Sequence, residues 1–219
     1  MLLGEAWLDC PATPPALLFG VTSSSSLAME ATVTVPGCPS PVLFELNDYW
    51  SDASRAPDII QILSENNART ADYTAAWKVE QEGADPAWVA IGTLGSLKPA
   101  QGKITAGQFE GIRSTYLAQV ENLSPEIREA VRERSDALAR GAFVPFDQPE
   151  YMLFGSLEDE RSFAVLGLVT SAQIAGISAQ KHFFWNGCMA VAQFSFPLAS
   201  LQPESAEAAI NDVSLLAPY

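Results

Sequence analysis

The histidine and cysteine side chains are the best candidates for nucleophilic or metal chemistry in this sequence. There is one histidine, His182, and there are three cysteines, Cys10, Cys38 and Cys188. Structural and catalytic zinc sites use three or four ligands drawn mainly from these two residue types, and their ligands follow short characteristic spacings. Neither a lone histidine nor cysteines this far apart match such a pattern. We therefore predict no metal site.

A nucleophile–base pair of Cys188 and His182 is the one such pair that lies close together in the sequence. Within a single strand the two side chains would be roughly 20 Å apart, too far for a hydrogen bond. Between them lies Asn186-Gly187, the dipeptide that best fits the type I′ turn of a two-residue hairpin. As an alternative, His182–Trp185 would then pair with Cys188–Val191. The Phe, Trp and Met residues around both favour a place in the core over catalysis.

The cysteines also bear on the compartment in which the chain folds. Cys10 and Cys38 each precede a proline at the end of a predicted strand, so the two could be neighbours. The sequence begins Met1-Leu2-Leu3-Gly4-Glu5, which lacks the basic start and apolar run of a secretory signal. We therefore expect free, buried thiols and a cytoplasmic or virion location.

Carboxylates offer one further candidate for chemistry, since Glu80 and Glu82 lie on the same side of a predicted strand. Paired carboxylates can act as general acid and base, but these two lie beside a turn, where solvated charges are the simpler interpretation. The sequence contains no phosphate-binding glycine loop and no GxSxG. We predict no catalytic residue and no cofactor. The alternative is a small enzyme or ligand-binding protein with a pocket between the sheet and a helical hairpin, lined by aromatics such as Trp77, Trp88 and Trp185.

The strongest periodic pattern predicts two helices between residues 105 and 140. Thr105 and Gln108 have the spacing of a capping box, in which each covers an unpaired amide of the other. Apolar residues then recur every three or four positions, at Phe109, Ile112, Tyr116, Val120 and Leu123. Ser124 and Pro125 are typical first residues of a second helix. Because the gap between the two predicted helices is so short, we predict that they form an antiparallel helical hairpin.

Short apolar segments on both sides of the helices predict strands, and their close spacing favours antiparallel pairing. The predicted strands are Met1–Asp9, Ala16–Thr22, Leu27–Val35, Val42–Leu46, Tyr73–Gln81, Ala87–Leu94, Tyr151–Phe154, Ser162–Thr170 and Gln180–Phe196. Shorter helices are predicted at Pro57–Asn66 and Ser205–Asn211. The sequence therefore predicts one α+β domain over residues 1–219. Its antiparallel sheet or sheets would carry the two-helix hairpin, at about 105–140, on or beside them.

Charge is distributed unevenly along the 219 residues, whose formal net charge is −14. Residues 1–54 contain six acids and no Lys or Arg, and residues 141–219 contain eight acids and two bases. Such a chain lacks the basic footprint of a nucleic-acid-binding protein, and no apolar run approaches the ~20 residues of a membrane span. We therefore expect no nucleic acid and no membrane partner. An acidic surface does suit a basic protein partner.

Two segments are candidates for contact with a partner. Tyr49 and Trp50 lie between acids and could anchor an interface, or both rings could fold back onto the core. The apolar C-terminal tail would dock on the core or on a neighbouring molecule. The candidate interaction residues are Asp48, Tyr49, Trp50, Asp52, Leu215, Leu216 and Tyr219.

Taken together, these features predict a non-enzymatic protein–protein interaction protein. One form is a structural subunit of a larger assembly, such as a phage particle, whose partner is itself. The other is an acidic inhibitor or immunity-type protein that caps a basic protein.

Overall fold

The computed structural model describes residues 28–61, 71–81, 84–94, 103–139, 150–170, 175–197 and 203–216. In these residues the chain has an α+β fold with two antiparallel sheets. The strands are β1 (Met29–Val33), β2 (Val42–Leu46), β3 (Ser51–Asp52), β4 (Ala71–Gln81), β5 (Ala84–Leu94), β6 (Glu150–Glu158), β7 (Ser162–Thr170), β8 (Ala175–Trp185), β9 (Cys188–Pro197) and β10 (Ser214–Leu215). The helices include α1 (Ala106–Glu121), α2 (Pro125–Ala139) and α3 (Pro203–Asn211), and residues 57–61 are also helical.

The large sheet has seven strands in the order β3-β4-β5-β9-β8-β7-β6. Its centre contains the hairpin of β8 and β9, in which His182 pairs with Val191 and Trp185 with Cys188. The hairpin turns at Asn186 and Gly187, whose φ angles of 44° and 77° are both in the left-handed region that a type I′ turn requires. The hairpin alternative for this stretch is therefore confirmed.

The small sheet has three strands in the order β1-β2-β10. Ala31, Val33 and Val35 are buried and Thr32 and Thr34 are exposed, as the alternation in the sequence predicts. The last described strand, β10, returns from the far end of the chain to pair with β2. The small sheet is thus built from two hairpin strands that are close in sequence and one that is distant.

Each face of the large sheet carries its own core cluster. One cluster joins the large sheet to the small sheet and α3, and it includes Phe44, Trp50, Phe183, Phe194 and Phe196. The other lies under α1 and residues 53–59, and it includes Ile59, Phe109 and Phe163. Burying both faces explains why the central strands are almost uniformly apolar.

Helix α1 begins at the predicted capping box. Thr105 accepts the Gln108 amide at 3.2 Å, and the Gln108 side chain accepts the Thr105 amide at 2.9 Å. The apolar face of α1 packs on β6 and β7, and α2 contacts β6. Arg128 of α2 donates to the Val120 carbonyl at the end of α1, at 2.7 Å.

Several sequence predictions lie wholly or partly outside the described residues. These are the strands Met1–Asp9 and Ala16–Thr22, the helix Pro57–Asn66 after residue 61, the thiol of Cys10, Glu82 and Tyr219. Among the helices that are described, none is both long and apolar enough to cross a membrane.

The prediction of free thiols is wrong for two of the three cysteines, because Cys38 and Cys188 form a disulfide. Their Cα atoms are 5.2 Å apart although 150 positions separate them in the sequence. Cys38 follows the turn between β1 and β2, and Cys188 begins β9. Packing of the small sheet on the large one brings these two turns together, and no local pattern in the sequence reports that contact.

Candidate protein-interaction site

Two of the predicted interaction segments meet at one corner of the small sheet. Leu215 pairs with Phe44 across β10 and β2, and the Leu216 amide donates to the Leu43 carbonyl at 2.9 Å. The loop that follows β2 carries Asp48 and Tyr49. Pairing of β10 with β2 therefore places the C-terminal segment beside that loop.

Asp212 ties this loop to the segment that leads into β10. Its Oδ2 accepts the Tyr49 hydroxyl at 2.6 Å and the Asn47 side-chain amide at 3.2 Å. Burial raises the pKa of the Tyr49 phenol, and the hydrogen bond to Asp212 and its negative charge raise it further. The phenol therefore stays neutral and remains a donor, while Tyr49 as a residue is 41% exposed at the surface.

Two other predicted residues lie elsewhere. Trp50 is only 2% exposed and its ring centroid lies 6.4 Å from that of Phe194, so its ring folds back onto the core and offers no exposed anchor. Asp52 belongs to β3, at an edge of the large sheet. Its carboxylate accepts the Ser54 amide at 2.9 Å, which lowers its pKa.

The outer surface of the small sheet combines acids with leucines. Side chains alternate between the two faces of a strand, so those pointing away from the large sheet are the neighbours of the buried ones. We call this surface the acidic face, and it consists of Glu30, Thr32, Leu43, Glu45, Ser214 and Leu216. Glu30 and Glu45 are directly opposite each other across β1 and β2. Like charges in that position are unfavourable for the isolated chain.

No basic residue of the neighbouring sequence offsets these acids. Residues 28–50 and 203–216 contain three acids each and no Lys or Arg. Leu43 and Leu216 are half-buried next to each other in this setting. An apolar pair beside the Glu30–Glu45 pair has the composition of a surface for a partner that is itself basic.

Lys181 is a buried residue that hydrogen-bonds to the backbone of this corner. It is only 3% exposed, and its Nζ donates to the carbonyls of Ile210 and Val213 at 3.2 and 2.9 Å. These carbonyls belong to the last turn of α3 and the residue before β10, where a positive charge also suits the helix dipole. Burial lowers the Lys181 pKa, and the charges of Asp159 and Asp212 act in the opposite direction.

A cleft of about 230 Å³ lies beside β10. We call it the edge cleft, and its lining residues are Asp159, Glu160, Arg161, Ser162, Phe183, Ser214 and Leu215. Ser214 and Leu215 form one side, and the turn between β6 and β7 forms the other. None of the described residues that line the edge cleft belongs to β2.

The turn that walls the edge cleft is fixed by Asp159. Its carboxylate accepts the amides of Arg161 and Ser162 at 2.8 and 2.7 Å and also the Ser162 hydroxyl. Burial alone would raise the Asp159 pKa, but these hydrogen bonds and the Lys181 charge outweigh it and lower the pKa overall. Asp159 is thus a structural acid even though it is exposed, as is the neighbouring Glu160.

The predicted pair of His182 and Cys188 does not form a catalytic site. Cys188 is bonded to Cys38 in the core between the sheets, and the His182 ring stacks on Phe163 in the cluster under α1. The two side chains therefore point to opposite faces of the large sheet. Successive side chains of a strand point to opposite faces of its sheet, and His182 pairs with Val191, three positions after Cys188.

Among the described residues, aromatic rings pack against each other at the place where a pocket between the sheet and the helices is predicted. Phe109 contacts Phe163 and Phe184 with centroids 5.6 and 5.4 Å apart, and Tyr116 contacts Phe163 at 5.7 Å. The tryptophans proposed to line it do not converge. Trp77 and Trp185 belong to the cluster between the sheets, whereas Trp88 packs against the cluster under α1.

The sequence interpretation missed several residues of the corner. These are Glu30, Leu43, Glu45, Arg161, Lys181 and Asp212. The alternation of β1 already places Glu30 outward with Thr32, so that residue could have been found. The others depend on strand register and on the return of β10, which only the tertiary structure supplies.

In the part of the chain that the structure describes, no three side chains of His, Cys, Asp or Glu come together as a metal site requires. No protein-family model matches this chain, and no curated protein matches it either.

Proposed function

We propose that this chain is a non-catalytic protein-binding protein that engages a basic protein through the acidic face. The observation that carries the proposal is the acidic face itself, where Glu30 opposes Glu45 beside the Leu43–Leu216 pair. Bringing a basic side chain between the two glutamates would relieve their repulsion, and covering the leucines would add apolar burial. Tyr49, which is partly exposed and held by Asp212, would extend the same surface.

A basic partner is favoured over a second copy of the chain at this face. Two copies of the acidic face would bring like charges together without a compensating base, and such juxtaposition opposes association. This supports the inhibitor or immunity-type role more than self-assembly at this surface.

The structural-subunit role is the second candidate, and a different surface supports it. Ile127 of α2 is 48% exposed, although Val131, one turn later on the same stripe, is buried. We keep the antiparallel helical hairpin as part of this proposal, since it would present Ile127 at the outside of the molecule. Self-association would then use α2 and leave the acidic face free.

The disulfide bears on where such a complex would form. Disulfides persist in oxidising surroundings and at virion surfaces, and they are rare in the reducing cytosol. Of the two predicted locations, the Cys38–Cys188 bond therefore supports the virion, or another oxidising environment, over the cytoplasm.

Charge reversal tests the proposed function. Wild-type protein, Glu45→Lys and Glu121→Lys would be used to capture partners from the native source by cross-linking. Captured species would then be purified and remixed for light scattering at low and high salt. Glu121 is exposed at the end of α1, where a positive charge suits the helix dipole, so this variant changes the net charge equally but away from the acidic face.

We expect wild type and Glu121→Lys to form a stoichiometric complex with the partner. The affinity of that complex should fall at least tenfold in Glu45→Lys, and also at high salt. Equal binding by all three proteins would contradict it. A defined homo-oligomer that persists in Glu45→Lys and dissociates in Ile127→Asp would instead support the structural-subunit role.

A further inference from the structure

The backbone of β10 presents hydrogen-bonding groups at an open edge. In an antiparallel pair, residues alternate between those that bond to the partner strand and those whose N–H and C=O point away from it. Leu216 donates its N–H to Leu43, so the N–H and C=O of the preceding residue, Leu215, point away from β2. In the described chain β10 is the outermost strand of its sheet. Leu215 therefore offers one donor and one acceptor to a neighbour.

Leu215, which carries those groups, also lines the edge cleft. Leu215 is half-buried on one wall, Arg161 and Ser162 lie on the other, and Phe183 is among the lining residues. Pockets for drug-sized ligands measure about 300–1,000 Å³. At about 230 Å³ the edge cleft is below that range, so its volume suits one or two side chains better than a metabolite.

We propose that an extended segment of the partner adds to the small sheet as a fourth strand beside β10 and inserts an apolar side chain into the edge cleft. This inference rests on the proposed function and specifies how the basic partner binds. Strand addition of this kind takes its affinity from main-chain hydrogen bonds and its specificity from pockets for alternate side chains.

Strand alternation defines the sequence that such a segment would have. Every second side chain would lie on the inner side, over the edge cleft and Phe183, where an apolar residue fits. The residues between them would lie on the outer side, next to Ser214, Leu216 and, one strand further, Glu45. Lys or Arg suits those positions, because Glu45 lies on that face and the strands β1, β2 and β10 contain no Lys or Arg. The segment is therefore an alternation of basic and apolar residues.

A backbone-specific variant tests the inference directly. Leu215→Pro removes the outward N–H but leaves the Leu216 bond to β2 in place, and proline is tolerated on edge strands. Leu215→Ala is the matched control, because it keeps the N–H and shortens the side chain. The probe is a short, fluorescein-labelled peptide of alternating Lys and Val, compared by fluorescence anisotropy with a peptide of the same composition in which Lys and Val form separate blocks.

The alternating peptide should bind wild type at least tenfold more tightly than the block peptide. Leu215→Pro should weaken that binding about five- to tenfold, as expected for one lost hydrogen bond, with a smaller effect from Leu215→Ala. If Leu215→Pro disturbs folding, a second probe can be used with the wild-type protein. This probe is the alternating peptide with N-methyl groups along one edge, which removes the backbone N–H donors of that edge from the peptide. Equal affinity for alternating and block peptides, or for N-methylated and unmodified peptides, would overturn the inference.

The two proposals fail in different ways. If the native partner loses affinity for Glu45→Lys but not for Leu215→Pro, the acidic face binds the partner without strand addition, and only the present inference falls. If the partner binds Glu45→Lys as tightly as wild type, the proposal that the acidic face binds the partner is wrong, independently of the peptide results.

Discussion

His182 shows how one residue can set the response of the protein to acid. The side chain is fully buried, its ring stacks on Phe163 at 4.6 Å, and Tyr116 of α1 lies at 4.9 Å. Neither ring nitrogen has a hydrogen-bond partner among the described residues. Its cross-strand neighbours, Phe163 and Val191, carry no charge. Burial without a counter-charge lowers the His182 pKa to about 4.

The folded protein should lose stability as the pH falls through the range from 6.5 to about 4. In that range the unfolded chain binds a proton at His182 and the folded chain does not, so protonation favours unfolding. The loss should be on the order of 2–3 kcal/mol between pH 7 and pH 4.5. Urea unfolding at several pH values checks this, with His182→Phe as the control.

The slope of stability against pH decides this test, not the absolute stability of the variant. Asp52 and Asp159 have lowered pKa values, so their contributions are lost at lower pH, below about 4. The free energy of unfolding of His182→Phe should therefore be constant between pH 6.5 and 4.5. A variant that keeps the wild-type slope would show that His182 is not the group responsible.

At the scale of elements, two glycines illustrate the difference between a tightly paired strand and an exposed helix. A Cβ at Gly92 in β5 would lie 1.9 Å from the Asp72 carbonyl oxygen of β4. A Cβ at Gly111 in α1 would meet no atom within 4 Å. The same added methyl group therefore has opposite consequences in the two elements.

Gly92→Ala should destabilise the protein by about 3 kcal/mol, because the β4 and β5 backbones must separate to admit the methyl group. Gly111→Ala should stabilise it by up to about 1 kcal/mol, because alanine restricts the unfolded chain and favours the helix. Chemical unfolding of both variants beside wild type measures the two shifts. If Gly92→Ala were neutral, the close pairing of β4 and β5 at this position would be incorrect.

At the scale of the whole molecule, the Cys38–Cys188 disulfide joins the small sheet to the centre of the large one. Closing a loop of this length lowers the conformational entropy of the unfolded chain. The two sheets also share a continuous core, so the bond adds to packing that already exists.

Reduction should lower the free energy of unfolding by about 2–5 kcal/mol, the upper figure being the loop-entropy value for a sequence separation of 150. Unfolding with and without reductant measures the change, and the double variant Cys38→Ala/Cys188→Ala should be insensitive to reductant. Thiol titration of the denatured protein is an independent check. One thiol, Cys10, should react before reduction and all three cysteines after it. Three reactive thiols before reduction would contradict the disulfide.

Local patterns predicted most elements within the described residues. The strand at Val42–Leu46, the strand at Ser162–Thr170 and the capping box at Thr105 were each found from neighbouring residues alone. Alternation, capping and the Asn-Gly turn act over a few residues, and each leaves its mark in the sequence. The candidate site is only partly predictable from the sequence, because Tyr49 and Leu215 lie in separate segments there and no local pattern shows that Trp50 is buried.

The sequence by itself determined the α+β class, the antiparallel hairpins and the acidic termini, because periodicity and charge are properties of short stretches. Tertiary structure alone decided that β10 pairs with β2, that Cys38 meets Cys188, and that Glu30 and Glu45 share one face. Each of these contacts joins positions whose separation depends on how the sheets stack. The free energy that selects them comes from burying the whole core, and no local pattern contains that information.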